Sequence, residues 1–343
     1  MTLGERKLQV LAAVVEAYIR TGEPVGSKLI SELMGNTVSS ATIRNEMADL
    51  AERGLLEQPH TSAGRIPTDR GFRMYLGSRM QKTPLSREDR LNIDAMLLEA
   101  GDEPEHMLDR AVQSLAYLTN CAAAATTPIA TSTVVRSVQV MPIGRRTAVV
   151  VLMTSAGILK NKVCRCGFDL TPDVLRITAR LITERVNNRP LIDITAAYIQ
   201  TLAASIGELV FVIAPILIAI LDTARDAAKA GVFVGGQNNL LQRTEYSDAG
   251  ARRVFDFLGR SDELITLLDR TRSTLSISIG PETGRTELLQ SSVLTAGYGI
   301  NGADCGRLAI IGPMRMDYGI VLSYLEYFAE RIGQLMTEML QND

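Results

Sequence analysis

Histidine and cysteine are scarce in this chain of 343 residues, which contains 2 histidines and 4 cysteines. A zinc site needs four nitrogen or sulfur ligands at recognisable spacings, and Cys164-Arg165-Cys166 has no second pair of ligands near it. Four cysteines in a chain of this length also do not form a disulfide framework. We therefore expect free thiols in a reducing compartment and no metal site.

Long apolar runs are equally scarce. The N-terminus lacks the charged start and apolar core of a signal peptide. Residues 209–221 form the one long run, and its 13 residues, interrupted by Pro215, fall short of the roughly 20 that cross a bilayer. We expect a soluble cytoplasmic protein that does not contact a membrane. The run is either a core helix or a subunit interface, and its place in an insertion of about 60 residues with little core of its own favours the interface.

The sequence contains no arrangement of residues typical of an enzyme. Residues 297–302 (GYGING) match G-x-G-x-x-G. A dinucleotide site requires a helix to begin there, whereas residues 306–311 predict a strand, so we interpret the match as a hairpin loop. Gly235-Gly236 lacks the Lys-Ser/Thr of a P-loop, and His106 is expected on a helix surface. We predict no catalytic residue and no cofactor.

Charge of one sign does not dominate, because the formal net charge is -2. Nucleic-acid binding would therefore have to come from a local basic surface. Between residues 58 and 82 the local charge is about +4, which suits phosphates, and phosphates dominate affinity for DNA. The basic residues of this segment are Arg65, Arg70, Arg73, Arg79 and Lys82, and its one acid is Asp69.

The first 78 residues predict three helices and a hairpin. Apolar residues at helical spacing indicate helices over residues 4–20 and 27–34, and a third helix that Ser39 caps. Ile43, Met47 and Leu50 of the third helix would face the core. The opposite side would present Ala41, Arg44, Asn45, Ala48 and Glu52. Residues 54–57 then predict a strand, and residues 60–67 predict a hairpin tip that returns to a second strand. This order is typical of a winged helix-turn-helix.

The third helix is the predicted reader of DNA. In such modules it enters the major groove with its N-terminal residues nearest the bases. Arg44 and Asn45 carry the donors that suit guanine and adenine edges, and small residues at the helix start let the backbone approach phosphates. A protein-interaction module with the same elements is the open alternative. The predicted DNA-binding residues are Lys28, Ser39, Ser40, Thr42, Arg44, Asn45, His60, Thr61 and Arg65.

The rest of the chain alternates between helical and extended patterns. Helices are predicted over residues 86–98 and 105–120, followed by a turn-rich segment at 122–130 and an antiparallel meander at 134–163. Residues 172–230 are helical, extended structure resumes at 231–236, and strands follow at 276–279, 292–295 and 307–311. A helix over 321–340 ends the chain. A helical block thus interrupts a sheet domain, which predicts an α+β protein.

Three runs resemble the HrcA family of heat-inducible transcription repressors in bacteria. They are residues 38–50 (VSSATIRNEMADL), 54–75 (GLLEQPHTSAGRIPTDRGFRMY) and 311–318 (IGPMRMDY). Many members of that family carry threonine where this chain has Met314. Arg315 and Asp317 of the last run could bind a ligand or pair structurally at the start of the last helix, and we favour structural pairing.

The resemblance implies a domain layout. It predicts a winged-helix DNA-binding domain at 1–78, a linker helix at 79–104, a GAF-like domain in two parts at 105–168 and 233–343, and an inserted, mainly helical dimerisation domain at 169–232. It also implies a homodimer that binds an inverted-repeat operator upstream of chaperonin and chaperone operons. A GroEL-type chaperonin would help the repressor fold into its active form. The alternative is a small-molecule-sensing transcription factor with its ligand in the GAF-like domain.

Overall fold

A computed structural model describes residues 3–60, 63–99, 101, 103–128, 133–270 and 273–341. The N-terminal module begins with three helices and a two-stranded antiparallel hairpin, and a fourth helix leads out of it. These elements are α1 (Glu5–Thr21), α2 (Ser27–Leu33), α3 (Ser40–Glu52), β1 (Leu56–Glu57), β2 (Ile66–Pro67) and α4 (Asp69–Ser78). The order of the first three helices and the hairpin is the one that the sequence predicts, whereas α4 is not predicted.

Two helices connect this module to the sheet that follows. They are α5 (Arg87–Leu98) and α6 (Pro104–Thr119). Ser86 caps α5 through a reciprocal capping box with Asp89. Ile93 and Leu97 of α5 are fully buried. The helix that we predicted as a linker therefore packs into the hydrophobic core.

A five-stranded antiparallel sheet forms the centre of the C-terminal half. Its strand order is β7-β3-β10-β9-β8, and its strands are β3 (Ala122–Thr126), β7 (Val232–Gly235), β8 (Leu275–Ile279), β9 (Ser291–Ile300) and β10 (Ala303–Pro313). The turn-rich prediction for residues 122–130 is wrong over β3, which lies between β7 and β10. Alanine is depleted in strands, so the four consecutive alanines of this central strand did not predict a strand.

Helices cover both faces of this sheet. Ala123 and Ala125 of β3 face a core shared with α6 and the last helix α13 (Tyr318–Gln341), while Ala122 and Ala124 face a second core. The second core is formed with α10 (Gln237–Leu241), α11 (Asp248–Leu258) and α12 (Ser261–Asp269). The core that contains α13 continues into α1, α3 and α4, so the N-terminal module and the sheet share buried apolar residues.

The meander forms a separate three-stranded sheet. Its strands are β4 (Val135–Gly144), β5 (Thr147–Thr154) and β6 (Leu159–Arg165), in the order β4-β5-β6. They pack against α7 (Pro172–Arg185), α8 (Ala196–Ser205) and α9 (Val210–Ala228) around a third core. The predicted first part of the sheet domain, residues 105–168, includes this meander, whereas its strands form their own sheet and pack with the helical block. The pattern of each strand predicts a strand but does not identify the sheet that it joins.

Helix α9 is the core helix of this smaller unit. It buries Ile213, Ile216, Leu217 and Ile220 against β5 and β6, and it exposes Phe211 and Ile218. With the preceding turn it spans Gly207–Ala228, 22 residues, which is long and apolar enough to cross a membrane by length and composition alone. The apolar run of 13 residues lies within this longer helix, whose last turns contain Asp222, Arg225 and Asp226. Strands β4–β6 supply part of the third core. The inserted block therefore has a hydrophobic core of its own.

Candidate nucleic-acid interface

Helix α3 begins and packs as its sequence predicts. The Ser39 hydroxyl accepts a hydrogen bond from the Thr42 amide at 3.2 Å, and the two hydroxyls lie 2.9 Å apart. This cap satisfies one of the backbone donors that a helix start leaves unpaired. Ile43, Met47 and Leu50 are buried as predicted. The opposite side of α3 is therefore the side that remains for a partner.

A buried carboxylate fixes α3 against α1. Glu46 is buried and accepts a hydrogen bond from Arg6 Nε at 2.9 Å, with Lys7 Nζ 3.9 Å from its second oxygen. Lys7 also pairs with Asp49 at 2.5 Å, and hydrogen bonds from Lys7 and Arg53 lower the pKa of Asp49. The sequence analysis missed Glu46. Its position three residues after Ile43, on the apolar stripe, was the available signal.

The outer face of α3 presents the predicted readers to solvent. Ser40, Ala41, Arg44 and Asn45 are exposed, and Thr42 is half-buried beside the cap. Within the part of the chain that the structure describes, no hydrogen bond or ion pair engages the side chain of Arg44 or of Asn45. Their donors are therefore available to an incoming ligand, whereas the hydroxyls of Ser39 and Thr42 are already paired with each other.

The hairpin docks beside the start of α2. Arg65 and Val25 exchange two backbone hydrogen bonds of 2.9 Å each. A Cβ atom on Gly64 would lie 2.4 Å from the Val25 carbonyl oxygen, so only glycine permits this approach. This contact joins the hairpin to the segment before α2 and fixes the position of Arg65 beside α3.

Arg44 and Arg65 line the same groove, which has a volume of about 480 Å3 and also includes Gly26, Ala48 and Gln58. Gln58 Oε1 accepts a hydrogen bond from Arg65 Nη1 at 2.7 Å, and Gln58 Nε2 donates to the Ala63 carbonyl at 3.0 Å. Gln58 thus orients the guanidinium of Arg65, a role that the sequence analysis missed because it depends on the hairpin geometry.

Two further predicted residues are exposed around this groove. Lys28 is on α2, directly after Ser27 of the groove wall, and His60 is on the hairpin. Thr61, which we also predicted as a contact, lies outside the described residues. Arg44 and Arg65 therefore line the groove, and Lys28 and His60 are exposed on the elements that border it.

The basic segment at residues 58–82 is not a phosphate-binding surface as a whole. Arg73 Nε donates to Glu282 at 2.7 Å, Lys82 pairs with Glu326 at 2.6 Å, and Arg79 pairs with Glu5. The local charge of about +4 is therefore largely neutralised by carboxylates, and this part of the prediction is wrong. The partners lie far away in the sequence, where a local charge count does not include them.

The glycine-rich match at residues 297–302 is a hairpin, as predicted. Gly297 and Gly299 lie in β9, and the chain turns at Asn301-Gly302 into β10.

Cys164 and Cys166 are buried, and burial raises the pKa of the Cys164 thiol to about 11. Among the described residues there is no group of three or more His, Cys, Asp or Glu side chains that could hold a metal ion.

The last signature run is structural. Arg315 Nε donates to Glu245 at 2.8 Å and Arg315 Nη1 donates to the Ile19 carbonyl at 3.1 Å. The Asp317 carboxylate accepts hydrogen bonds from the amides of Gly319 and Ile320 at the start of α13. The favoured interpretation, structural pairing at the start of the last helix, agrees with these contacts.

The sequence matches known proteins over its full length. Residues 105–322 match the family described as HrcA protein C terminal domain. A heat-inducible transcription repressor HrcA of Moorella thermoacetica is 34% identical over 345 residues, which cover 99% of each chain. Another, of Ruminiclostridium cellulolyticum, is 33% identical over 349 residues, which cover 100% of each chain.

A solved structure has the same fold. It is the crystal structure of a hypothetical protein at 2.2 Å resolution, with a TM-score of 0.66 and 23% identity, and the match covers 98% of this chain and 100% of that one. The fold is α+β, with mainly antiparallel sheets and packed helices. On the family match and the full-length relatives, this chain belongs to the HrcA family of heat-inducible transcription repressors.

Proposed function

We propose that this protein represses transcription of heat-shock genes by binding an inverted-repeat operator in DNA upstream of chaperonin and chaperone operons. One observation carries the proposal. The outer face of α3 exposes Arg44 and Asn45 without internal partners, and Arg65 of the hairpin lies across one groove from Arg44. The HrcA relatives are named as heat-inducible transcription repressors, which supports the same assignment.

The N-terminal module acts as a winged helix-turn-helix. Helices α2 and α3 form the helix pair, and the β1–β2 hairpin is the wing. The start of α3 enters the major groove, where Arg44 pairs with a guanine and Asn45 with an adenine. Arg65 on the wing approaches the adjacent phosphates, because Gln58 already orients its guanidinium toward the groove.

The protein acts as a homodimer, and the exposed side of the β4–β6 sheet is the proposed contact. On β5 the buried residues Ala148, Val150 and Leu152 alternate with Val149, Val151 and Met153, which are half-buried. Leu159 of β6 is opposite Met153 and is 54% exposed. An apolar sheet face of this kind needs a covering partner, and a second copy provides the same face by symmetry.

A point change tests this dimer contact. Leu159→Lys places a charge on the exposed sheet face, and we expect it to give monomers at concentrations where the wild type is a dimer, as measured by light scattering after size exclusion. Leu241→Lys is the matched control, because Leu241 on α10 is 52% exposed and lies on the other domain. A dimeric Leu159→Lys variant would contradict the proposed contact.

These assignments define the domains. The winged helix covers residues 1–78, and α5 with its flanking segments connects it to the five-stranded sheet, which with α6, α13 and α10–α12 forms the GAF-like domain. We propose that the inserted dimerisation domain begins at about residue 134 and ends after α9, because strands β4–β6 share a core with α7–α9. The protein is cytoplasmic in this proposal.

A GroEL-type chaperonin assists the folding of the repressor. The five-stranded sheet supports this, because β3 pairs with β10, so that Ala125 is paired with Leu308, 183 residues later in the chain. Sheets with such distant pairing fold slowly and expose strand edges while they form. When heat-damaged proteins occupy the chaperonin, less repressor folds, fewer dimers bind, and transcription rises by mass action.

The alternative, a small-molecule sensor, receives less support. The GAF-like domain has a cavity of about 150 Å3, lined by Tyr246, Arg253 and Gln290 among others, and a groove of about 430 Å3 between β9 and α13 that is open to solvent. Small-molecule sites are usually about 300–1,000 Å3 and bury most of the ligand surface. The cavity is smaller than such a site, and the open groove would leave much of a ligand in contact with solvent. Titration of the full-length protein with DNA from upstream of the host's chaperonin operon tests the main proposal. It predicts a complex with that DNA that survives an excess of scrambled duplex; equal binding to both would contradict it.

A further inference from the structure

The signature run at residues 311–318 joins the DNA-binding module to the rest of the protein. Arg315, which is 20% exposed on its side chain, pairs with Glu245, which is 13% exposed, at 2.6 Å. The same guanidinium donates to the carbonyl of Ile19, in the last turn of α1. One side chain therefore connects α1 of the module, the run before α13, and the loop before α11.

The C-terminal end of α1 is an electrostatically favourable site for a cation. The last carbonyls of a helix are unpaired and carry partial negative charge, which a guanidinium stabilises. Gly22 ends α1 with a φ of 72°, and a Cβ atom there would lie 3.0 Å from Arg315 Nη1. Glycine therefore both ends the helix and leaves room for the guanidinium. Because both members of the ion pair are largely buried, solvent screens them weakly.

Neighbouring contacts make the same boundary rigid. The rings of Phe72 in α4 and Tyr318 in α13 are buried, with centroids 6.3 Å apart. The Thr83 amide donates to the Gly319 carbonyl at 3.2 Å. A Cβ atom on Gly319 would lie 2.8 Å from the Gln81 carbonyl oxygen, so the connecting segment packs directly on the start of α13. The module is thus docked on the domain that follows it.

We propose that the Arg315–Glu245 pair sets the distance between operator half-sites that the dimer accepts, by fixing the orientation of the winged helix on the GAF-like domain. This inference rests on the proposed function. One added base pair between half-sites moves the second site by about 3.4 Å and rotates it by about 35°. A module that is held only through α4 and the connecting segment can tilt to follow such a change, whereas a module that is also held at the end of α1 cannot.

The test measures binding to four duplexes by fluorescence anisotropy with full-length protein. Three carry the inverted repeat with its natural spacer or with one or two added base pairs, and the fourth carries a single half-site. The variants are Arg315→Met, Arg315→Lys and Glu245→Gln. Glu326→Gln is the matched control, because Glu326 also pairs with a basic residue near this boundary, Lys82, but is 41% exposed.

The readout is the ratio of Kd at the lengthened spacer to Kd at the natural spacer. We expect Arg315→Met to lower this ratio by about tenfold, the scale of a lost hydrogen bond to a charged group, and Glu245→Gln to lower it by about threefold. Glu326→Gln should leave the ratio at the wild-type value, since exposed ion pairs contribute little. Half-site affinity should stay within about twofold of wild type.

Three results would overturn the inference. One is a wild-type ratio in folded Arg315→Met or Glu245→Gln. Another is a parallel loss of half-site binding, which would mean that Arg315 only maintains the fold of the module. The third is tighter binding of the natural operator by the variants, which would mean that the pair holds the modules away from DNA. If Arg315→Met does not fold, Arg315→Lys and Glu245→Gln decide. Wild-type protein that does not bind the inverted repeat would instead contradict the proposed function.

Discussion

Replacing Arg44 by alanine should remove sequence discrimination while leaving the fold unchanged. The side chain is exposed on the outer face of α3, in the second turn after the Ser39 cap, and it makes no hydrogen bond or ion pair among the residues that the structure describes. Truncation therefore creates no cavity and leaves no buried partner unpaired. Its cost is a lost bidentate base contact of about 1–3 kcal/mol, or roughly 5- to 150-fold in affinity for the operator.

Arg65→Ala should behave differently, because Arg65 is on the wing and contacts phosphates in the proposed complex. We expect it to weaken operator and scrambled DNA about equally, and to reduce the slope of log K against log salt by about 1. Arg20→Ala is the matched control, since Arg20 is an exposed arginine in the last turn of α1, outside the proposed interface.

Fluorescence anisotropy titrations of all three variants at several salt concentrations, with operator and scrambled duplexes, separate these effects. Arg44→Ala should lower the ratio of specific to non-specific affinity, and Arg65→Ala should preserve that ratio. The assignment of the two residues would be refuted if both variants bound the operator like wild type. Equal weakening of operator and scrambled DNA by Arg44→Ala would also refute it.

Two further predictions concern stability. Ser39→Ala removes the cap of α3 and should lower the free energy of unfolding by about 1 kcal/mol in chemical denaturation, while Ser39→Asp retains a cap and should stay near wild type. The hydrogen bond from Arg73 lowers the pKa of the Glu282 carboxyl, so the ion pair stabilises the protein above the ordinary glutamate pKa of about 4.3 and is lost as the pH falls through the lowered value. The stability difference between wild type and Arg73→Met should therefore be largest above about pH 5 and fall on acidification to the part that the hydrogen bond from Arg73 Nη2 to the Ile277 carbonyl contributes; a difference independent of pH would exclude the ion pair as a contributor.

Local signals predicted the N-terminal module well. The cap at Ser39, the apolar stripe through Ile43 and Leu50, and the glycine turn before the hairpin all act within one turn or one hairpin, so each is readable along the chain. Which side chains remain available was less predictable. Gln58 and Arg65 form a pair only because the hairpin folds back, and Glu46 is buried only because α1 supplies two cations.

Non-local pairing limited the predictions for the C-terminal half. The alanines of β3 carry little strand preference, and their partners in β10 and β7 lie more than 100 residues away. The same limit affected the basic segment, where Glu282 and Glu326 neutralise Arg73 and Lys82 from the far end of the chain. Sequence patterns report local periodicity and charge, whereas these contacts depend on the assembled fold.

DNA footprinting upstream of the host's chaperonin operon tests operator binding, with repressor refolded in the presence or absence of a purified GroEL-type chaperonin and ATP. We expect protection of both arms of one inverted repeat, and protection at lower total repressor after refolding with the chaperonin. If folded, dimeric protein protected no inverted repeat under either condition, this would contradict the proposal that α3 and the wing bind an operator.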